Sequence, residues 1–236
     1  MADILLVHGA AHGAWCWRET TPALQALGHA VKAIDLPSHG DDPTPVNEVT
    51  LDRYAECIIE ALDTRSVIVG HSMAGYPISL VAERRPDLAQ RLIYLCAYVP
   101  KPGHTLSQMR KLSDHQPLAP AFVLAADRKS FTFDDAMVRD RFYADCSDAQ
   151  IAFAKARLSP QAIAPNETVV TLGDRYAQVP RNYIRCTRDG AIPYDLQVAM
   201  TESWPPSDVV DIETSHSPFF SAPDTLAAQI DRFIRA

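Results

Sequence analysis

The stretch IVGHSMAG, residues 68 to 75, joins an apolar run to a turn of small residues with a serine at its centre. The run before it is typical of a buried strand, and the segment YPISLVAERRP at 76–86 is typical of a helix that ends near its last proline. A sharp strand-to-helix turn lifts a serine hydroxyl clear of a sheet. It also brings the residues two before and two after the serine together, and Gly70 and Ala74 are small enough for this. The stretch therefore predicts Ser72 as a nucleophile, with a helix-capping serine as the alternative.

Strand-like and helix-like segments alternate through the rest of the first hundred residues. Apolar runs at 4–7, 30–37, 66–70 and 91–100 are separated by helical patterns at 15–27, 51–62 and 76–86, and Thr50 is placed to cap the second of these helices. The same alternation returns after residue 181, where it ends with a helical pattern at 224–235. Continuous apolar strands that alternate with helices predict an α/β fold, in which helices flank both faces of a mostly parallel sheet.

The segment between about 101 and 180 breaks this alternation. It contains amphipathic stretches such as SDAQIAFAKARL at 147–158 and no clear strand pattern. We interpret it as a mostly helical insertion. The chain is thus expected to form a single domain over 1–236, with its core in 1–100 and 181–236 and the insertion between them.

A serine is a weak nucleophile, so Ser72 needs a neighbouring base and an acid that orients the base. In this class of fold the acid and then the histidine follow the serine along the chain. His216 is the only histidine after residue 115, and it lies in a loop that follows the last strand-like run. Asp189 comes at the end of the run NYIRCTRD and is followed by a glycine, which places it on a turn. Asp189 and His216 are therefore predicted as acid and base. The rival acids lie in or next to later elements: Asp195, Asp208 and Asp211.

An acyl-transfer site also needs donors for the negative charge that develops on the substrate oxygen. The N–H of Met73, at the start of the helix, is one candidate, and the loop VHGAAHGAW after the first strand supplies the other. There Gly9 permits a close backbone approach, and the N–H of Ala10 is the expected second donor. We interpret His8 and His12 as structural, because the loop VHGAAHGAW that carries them contains no acid or cysteine to complete a metal site.

Composition excludes several other classes of function. The net charge of −7 is spread along the chain without a basic block, so we expect no nucleic-acid partner. Five scattered cysteines form no metal-ligand pattern, so we expect reduced thiols, no metal and no cofactor. The sequence shows no signal peptide and no apolar stretch of membrane-spanning length, which favours a cytoplasmic protein without a membrane partner. Its oligomeric state stays open, a homodimer included.

These residues together resemble the α/β-hydrolase superfamily. The segments LLVHGAAHGAWCW and GHSMAGYPISLVAE are similar to the branch of plant methylesterases and hydroxynitrile lyases, with their bacterial esterase relatives. By this resemblance the insertion is a helical cap over the active site, the positions of Ser72, Asp189 and His216 match the catalytic triad, and those of Ala10 and Met73 match the oxyanion donors.

The branch contains two chemistries that the sequence separates. Its cyanohydrin-cleaving members carry a Thr at the position of Gly9 and a Lys directly after the catalytic histidine, where this chain has Ser217. The resemblance therefore implies a serine hydrolase acting on carboxylic esters of small to medium apolar or aryl substrates. Carbon–carbon cleavage of the lyase type and a weakly catalytic small-ligand receptor are the alternatives.

Overall fold

Six parallel strands form the central sheet of the protein, in a computed structural model that describes residues 1–236. The strands are β1 (Asp3–Val7), β2 (Ala30–Ile34), β3 (Ser66–His71), β4 (Ala89–Leu95), β8 (Arg181–Cys186) and β9 (Val209–Ile212). Between β4 and β8 lie three shorter strands, β5 (Phe122–Leu124), β6 (Ser130–Phe133) and β7 (Gln161–Ala162). The order across the central sheet is β2-β1-β3-β4-β8-β9, and every neighbouring pair is parallel. The predicted parallel sheet is confirmed.

Helices cover both faces of this sheet. Those outside the insertion are α1 (Thr20–Ala26), α2 (Leu51–Ala61), α3 (Gly75–Arg84), α8 (Tyr194–Met200), α9 (Pro218–Ser221) and α10 (Pro223–Arg235). Successive residues of a strand point to opposite faces, so Leu5 and Ile68 join one apolar cluster with α2 and α3, whereas Ile4 and Val67 join another with α1 and α10. Burial on both faces explains why the central strands are continuous apolar runs. None of the helices has the length and apolar character needed to cross a bilayer.

Thr50 accepts a hydrogen bond from the Arg53 N–H, so the expected cap of α2 is present. Two other predicted element boundaries differ from the structure. The helix expected over 15–27 is instead a 3₁₀ turn at Ala14–Trp17 followed by α1. The last three residues of the run NYIRCTRD lie beyond β8, so Asp189 is on the following turn and not in the strand.

The segment 101–180, called the inserted segment below, differs from the prediction in kind. It contains the helices α4 (Leu106–Arg110), α5 (Asp135–Phe142), α6 (Asp148–Lys155) and α7 (Asp174–Ala177), but also an antiparallel sheet in the order β5-β6-β7. The expectation that it lacks strands was wrong. The strands are only two to four residues long, and two of the three residues of β5 are exposed, so they are too short to give a recognisable strand pattern in the sequence.

Candidate active site

The turn between β3 and α3 holds Ser72 in a strained conformation. The φ of Ser72 is 56°, in the left-handed region that non-glycine residues rarely adopt. A Cβ at Gly70 would lie 2.7 Å from Ile78 Cδ1 and 3.2 Å from the Ala74 carbonyl oxygen, so a larger residue there would displace the Ile78 side chain. Glycine is required at Gly75, since a Cβ there would come within 2.1 Å of the Tyr98 carbonyl oxygen. The turn is thus as tight as the small residues of the motif predict.

Two hydrogen bonds connect this turn to neighbouring loops. The N–H of Tyr98, after β4, donates to the Ser72 carbonyl oxygen at 3.0 Å. The His71 Nε2–H donates to the His216 carbonyl oxygen at 2.9 Å, which ties the strand before Ser72 to the loop after β9. His71 is completely buried, and burial lowers its pKa well below the usual value, so the ring is neutral and Nε2 carries its proton. Sequence reasoning did not identify this role of His71.

The predicted base and acid form a buried pair. The His216 Nδ1–H donates to Asp189 Oδ2 at 2.7 Å, and the two side chains are 1% and 0% exposed. The other carboxylate oxygen, Oδ1, accepts from the N–H groups of Ala191 and Ile192 at 2.7 and 2.8 Å. Gln197 also donates to Oδ2, at 3.2 Å. A carboxylate fixed by these hydrogen bonds can hold the imidazole in one tautomer.

The three rival acids lie elsewhere. Asp195 is in the first turn of α8, where its oxygens accept from Leu196 N–H and Ser113 Oγ–H. Asp208 closes the 3₁₀ turn before β9, and Asp211 accepts from the Tyr194 hydroxyl. None of the three contacts the His216 ring.

Ser72 and His216 line the same cavity, which has a volume of about 410 Å³. No hydrogen bond joins the Ser72 hydroxyl to the imidazole ring in this structure. Contacts between a nucleophile and its base are often longer without substrate and tighten when substrate binds. The arrangement therefore has the parts of a proton relay from a hydroxyl through an imidazole to a carboxylate.

The peptide between Gly9 and Ala10 leaves its N–H free. The Gly9 carbonyl oxygen accepts from the His8 Nδ1–H at 2.8 Å and from the His12 backbone N–H at 3.3 Å. In a trans peptide the N–H points away from the carbonyl, and the Ala10 N–H has no partner within the protein while Ala10 lines the cavity. A Cβ on Gly9 would lie 2.9 Å from Ser72 Cβ, so glycine allows this loop to approach the serine.

The N–H of Met73 lies in the first turn of the 3₁₀ helix Ser72–Ala74, where backbone donors have no partner within the helix. Met73 also lines the cavity. Two backbone donors, from Ala10 and Met73, are thus available beside Ser72, which is the arrangement that stabilises an oxyanion.

His8 and His12 are buried and fully hydrogen-bonded. His8 Nε2 accepts from the Leu36 N–H at 3.0 Å. The His12 Nδ1–H donates to the Ala10 carbonyl oxygen at 2.8 Å, and its Nε2 accepts from the Tyr143 hydroxyl at 2.7 Å. Burial lowers the pKa of His12 to about 4 and that of His8 well below its usual value. Both rings are therefore neutral and have no lone pair free for a metal.

These buried histidines predict a loss of stability in mild acid. The folded state holds the pKa of His8, His12, His39 and His71 below the unfolded value near 6.5, mainly through burial. Below that value the unfolded chain binds more protons, so the free energy of unfolding falls as pH decreases, by up to about 1.4 kcal/mol per pH unit for each histidine. Urea titrations at pH 7.5, 6.5 and 5.5 should show a falling midpoint. His12→Asn should flatten this dependence and exposed His115→Asn should not; a constant midpoint in the wild type contradicts the expectation.

Aromatic side chains form much of the cavity wall. Phe142 packs against Phe133 with ring centroids 4.7 Å apart and against the His216 ring at 5.7 Å. Polar groups are fewer: Arg110 lies over the Phe122 ring at 4.3 Å, and the buried Asn166 carboxamide oxygen has no partner. Most of the wall comes from the inserted segment, so that segment determines the shape of the cavity.

One cluster has the composition of a metal site. Ligand atoms of His71, Cys96 and His216 lie within 4.8 Å of one another. The ring atoms His71 Nε2 and His216 Nδ1 are already used in hydrogen bonds, and the Cys96 thiol donates to the His216 carbonyl oxygen. Burial raises the pKa of Cys96 well above its usual value, so it is a protonated thiol and a poor ligand. One ring nitrogen of each histidine and the thiol are therefore engaged in hydrogen bonds, whereas His71 Nδ1 is buried without a partner.

Comparison with known proteins identifies the family. The model of the alpha/beta hydrolase family matches residues 4–229. The chain is 31% identical to methylesterase 7 of Arabidopsis thaliana, over 95% of this chain and 93% of the relative. It is 30% identical to a pyrethroid hydrolase of Sphingobium wenxiniae, over 100% of this chain and 89% of the relative. The crystal structure of a pyrethroid hydrolase from Sphingobium faniae superposes with a TM-score of 0.89 at 28% identity, over 100% of this chain and 98% of that one. The chain therefore belongs to the alpha/beta hydrolase family, in its methylesterase-like branch of carboxylesterase-type enzymes.

Proposed function

We propose that the protein hydrolyses carboxylic esters through a covalent acyl-enzyme on Ser72, with His216 as base and Asp189 as the residue that orients it. The observation that carries the proposal is the buried His216–Asp189 hydrogen bond of 2.7 Å on the cavity that also exposes Ser72. A serine that only caps a helix needs neither a buried histidine–carboxylate hydrogen bond nor a neighbouring cavity. The named relatives, a methylesterase and a pyrethroid hydrolase, support ester cleavage as the reaction.

The reaction proceeds in two stages. His216 Nε2 accepts the Ser72 proton while Oγ attacks the ester carbonyl carbon, and the Ala10 and Met73 N–H groups stabilise the oxyanion. The imidazolium then protonates the leaving alcohol, which departs and leaves the acyl group on Oγ. Water, deprotonated by the same ring, attacks the acyl-enzyme and releases the carboxylic acid. Asp189 remains ionised throughout and stabilises the imidazolium.

The cavity supports esters with a small to medium apolar or aryl group. Its volume of about 410 Å³ and its lining of Phe122, Phe131, Phe133 and Phe142 suit one ring or a short acyl chain. Long polar substrates would lose hydration there without enough partners to replace it.

Cyanohydrin cleavage has less support. Departing cyanide needs a cation beside the histidine, and the next residue is Ser217, which is completely buried. An apolar cavity with two free backbone donors also fits a receptor that binds a ligand and turns it over slowly. Turnover measurements separate these functions.

A panel of p-nitrophenyl and methyl esters of increasing acyl size, run beside mandelonitrile, tests the proposal. We expect multiple turnovers on short acyl and benzoyl esters, falling rates for long chains, and no cyanide release above background. Cyanide release without ester turnover, or tight binding of the esters without multiple turnovers, would contradict the proposed function. Ser107→Ala, which changes the cavity wall away from the turn of Ser72, is the control variant and should keep the ester turnover of the wild type.

A further inference from the structure

The oxyanion loop, residues 8–12, is held from the inserted segment at two points. Tyr143, directly after α5, donates its hydroxyl proton to His12 Nε2 at 2.7 Å. Gln161, in β7, accepts from the Ala11 N–H through Oε1 at 3.2 Å. Both side chains are completely buried, so neither bond competes with water. Two distant parts of the inserted segment therefore converge on one short loop.

These contacts fix a single peptide unit. The carbonyl oxygen of Ala10 accepts from the His12 Nδ1–H at 2.8 Å, and the N–H on the other side of the same unit is that of Ala11, bonded to Gln161. Because the Ala10 carbonyl oxygen is only an acceptor, His12 must carry its proton on Nδ1, which leaves Nε2 to accept from Tyr143. The Tyr143 hydroxyl thus anchors the Nε2 side of the ring whose Nδ1–H holds the peptide.

The held unit is also strained. Ala11 has a φ of 62°, in the left-handed region that non-glycine residues rarely adopt. Its carbonyl oxygen accepts from the Ser159 N–H at 3.0 Å, a third contact from the inserted segment. Strain of this kind persists only where surrounding contacts determine the conformation. Here Gln161 and Ser159 supply two of those contacts from outside the loop, and the unit that they fix adjoins the free Ala10 N–H.

The end of α5 contacts the loops of the other candidate residues as well. Asp145 accepts from the Ser215 N–H at 2.7 Å and from its hydroxyl, next to His216. A Cβ on Gly190, which follows Asp189, would lie 2.4 Å from the Asp140 carbonyl oxygen. The inserted segment is therefore packed against the loops that carry donor, base and acid.

We propose that Tyr143 and Gln161 are positioning residues that orient the Ala10 N–H toward the oxyanion, so that the inserted segment governs turnover as well as substrate fit. This inference rests on the proposed ester hydrolysis. Without the Tyr143 hydroxyl, the His12 ring loses the hydrogen bond on its Nε2 side, and the ring and the peptide that it holds are freer to rotate. A small rotation of an oxyanion donor weakens the transition state more than the bound substrate.

Tyr143→Phe tests the inference because it removes one hydroxyl without changing the packing volume. We expect kcat for a good p-nitrophenyl ester to fall about 10-fold or more, on the scale of losing part of one oxyanion donor, with KM within twofold. The affinity for a trifluoromethyl ketone, which mimics the tetrahedral intermediate, should fall by the same factor, and the affinity for the product acid should not. Gln161→Met should have a similar effect where it folds.

The matched control is Tyr94→Phe. Tyr94 is completely buried and its hydroxyl contacts Ser79 and Tyr176, but it does not line the cavity. It should lose stability comparable to Tyr143→Phe and keep kcat. If Tyr143→Phe keeps kcat and ketone affinity within twofold of the control, the inference is wrong while the proposed function stands.

Amide hydrogen exchange gives a readout that needs no turnover. The Ala11 N–H should exchange at least several-fold faster in Tyr143→Phe than in the wild type and Tyr94→Phe, because His12, which holds the carbonyl side of its peptide, has lost its own anchor. Unchanged exchange at Ala11 would overturn the inference even in a protein without esterase activity. Absent ester turnover by the wild type would overturn the proposed function separately.

Discussion

Ser72→Ala should lower kcat for p-nitrophenyl esters by about 10⁴-fold or more. In the proposed mechanism Ser72 Oγ is the only protein atom that forms a covalent bond with the acyl group, and alanine lacks this atom. Ser72 is partly exposed to the cavity and its strained φ is set by the turn, so the truncation should leave the fold and the cavity in place. Affinity for the product acid, measured by calorimetry, should change little.

Ser107→Ala is the control for this experiment, because Ser107 lines the same cavity from α4. It should keep kcat within about twofold, the usual range for a residue without a chemical role. Retention of a tenth or more of the wild-type rate by purified Ser72→Ala would rule out the acyl-enzyme on Ser72.

Asp189→Asn should lower kcat by about 10³–10⁴-fold. Oδ1 accepts two backbone N–H groups, from Ala191 and Ile192, so the carboxamide oxygen will stay on that side. The carboxamide NH₂ will then face His216 Nδ1 and turn that atom into an acceptor. The ring proton moves to Nε2, where it prevents removal of the Ser72 proton.

Asp195→Asn provides the comparison, since Asp195 is a nearby acid of α8 without contact to His216. It should keep nearly full activity. A fall in rate of less than tenfold in Asp189→Asn, with the fold intact by circular dichroism, would mean that the carboxylate does not determine the tautomer of the base.

The central sheet could be predicted because strands at its centre, such as β1 and β3, are apolar runs bounded by turn residues. Burial on both faces of a sheet requires apolar residues at consecutive positions, as in these two strands. The strands of the inserted segment are too short to show such a pattern. Its strand β5 has Val123 and Leu124 about half exposed, and β7 has only two residues, so their pairing depends on contacts that the local pattern does not contain.

Part of the candidate site could also be predicted from the sequence. Chain order and turn chemistry led to Ser72, Asp189 and His216, and the structure brings the last two into contact. The partners of the oxyanion loop were not visible. Gln161 lies 150 residues from Ala11 and Tyr143 lies 131 from His12, and nothing around either residue in the sequence indicates its partner.

The residues proposed to react and the residues proposed to position them lie in different parts of the chain. In this chain the groups proposed to react come from the ends of the sheet, which the core fixes. The residues that hold the oxyanion loop come from the inserted segment, which also forms most of the cavity wall. We therefore expect some substitutions in the inserted segment that change substrate preference to lower kcat as well, because the same segment carries Tyr143 and Gln161.

The central claim is that Ser72 is an activated nucleophile. Its most direct test is the mass of the protein after treatment with a fluorophosphonate, which phosphonylates activated serines irreversibly. We predict one adduct per chain, located by peptide mapping on Ser72, formed rapidly by the wild type and very slowly by Asp189→Asn. An unmodified chain, or an adduct on any other residue, would contradict the assignment of Ser72 as the activated nucleophile.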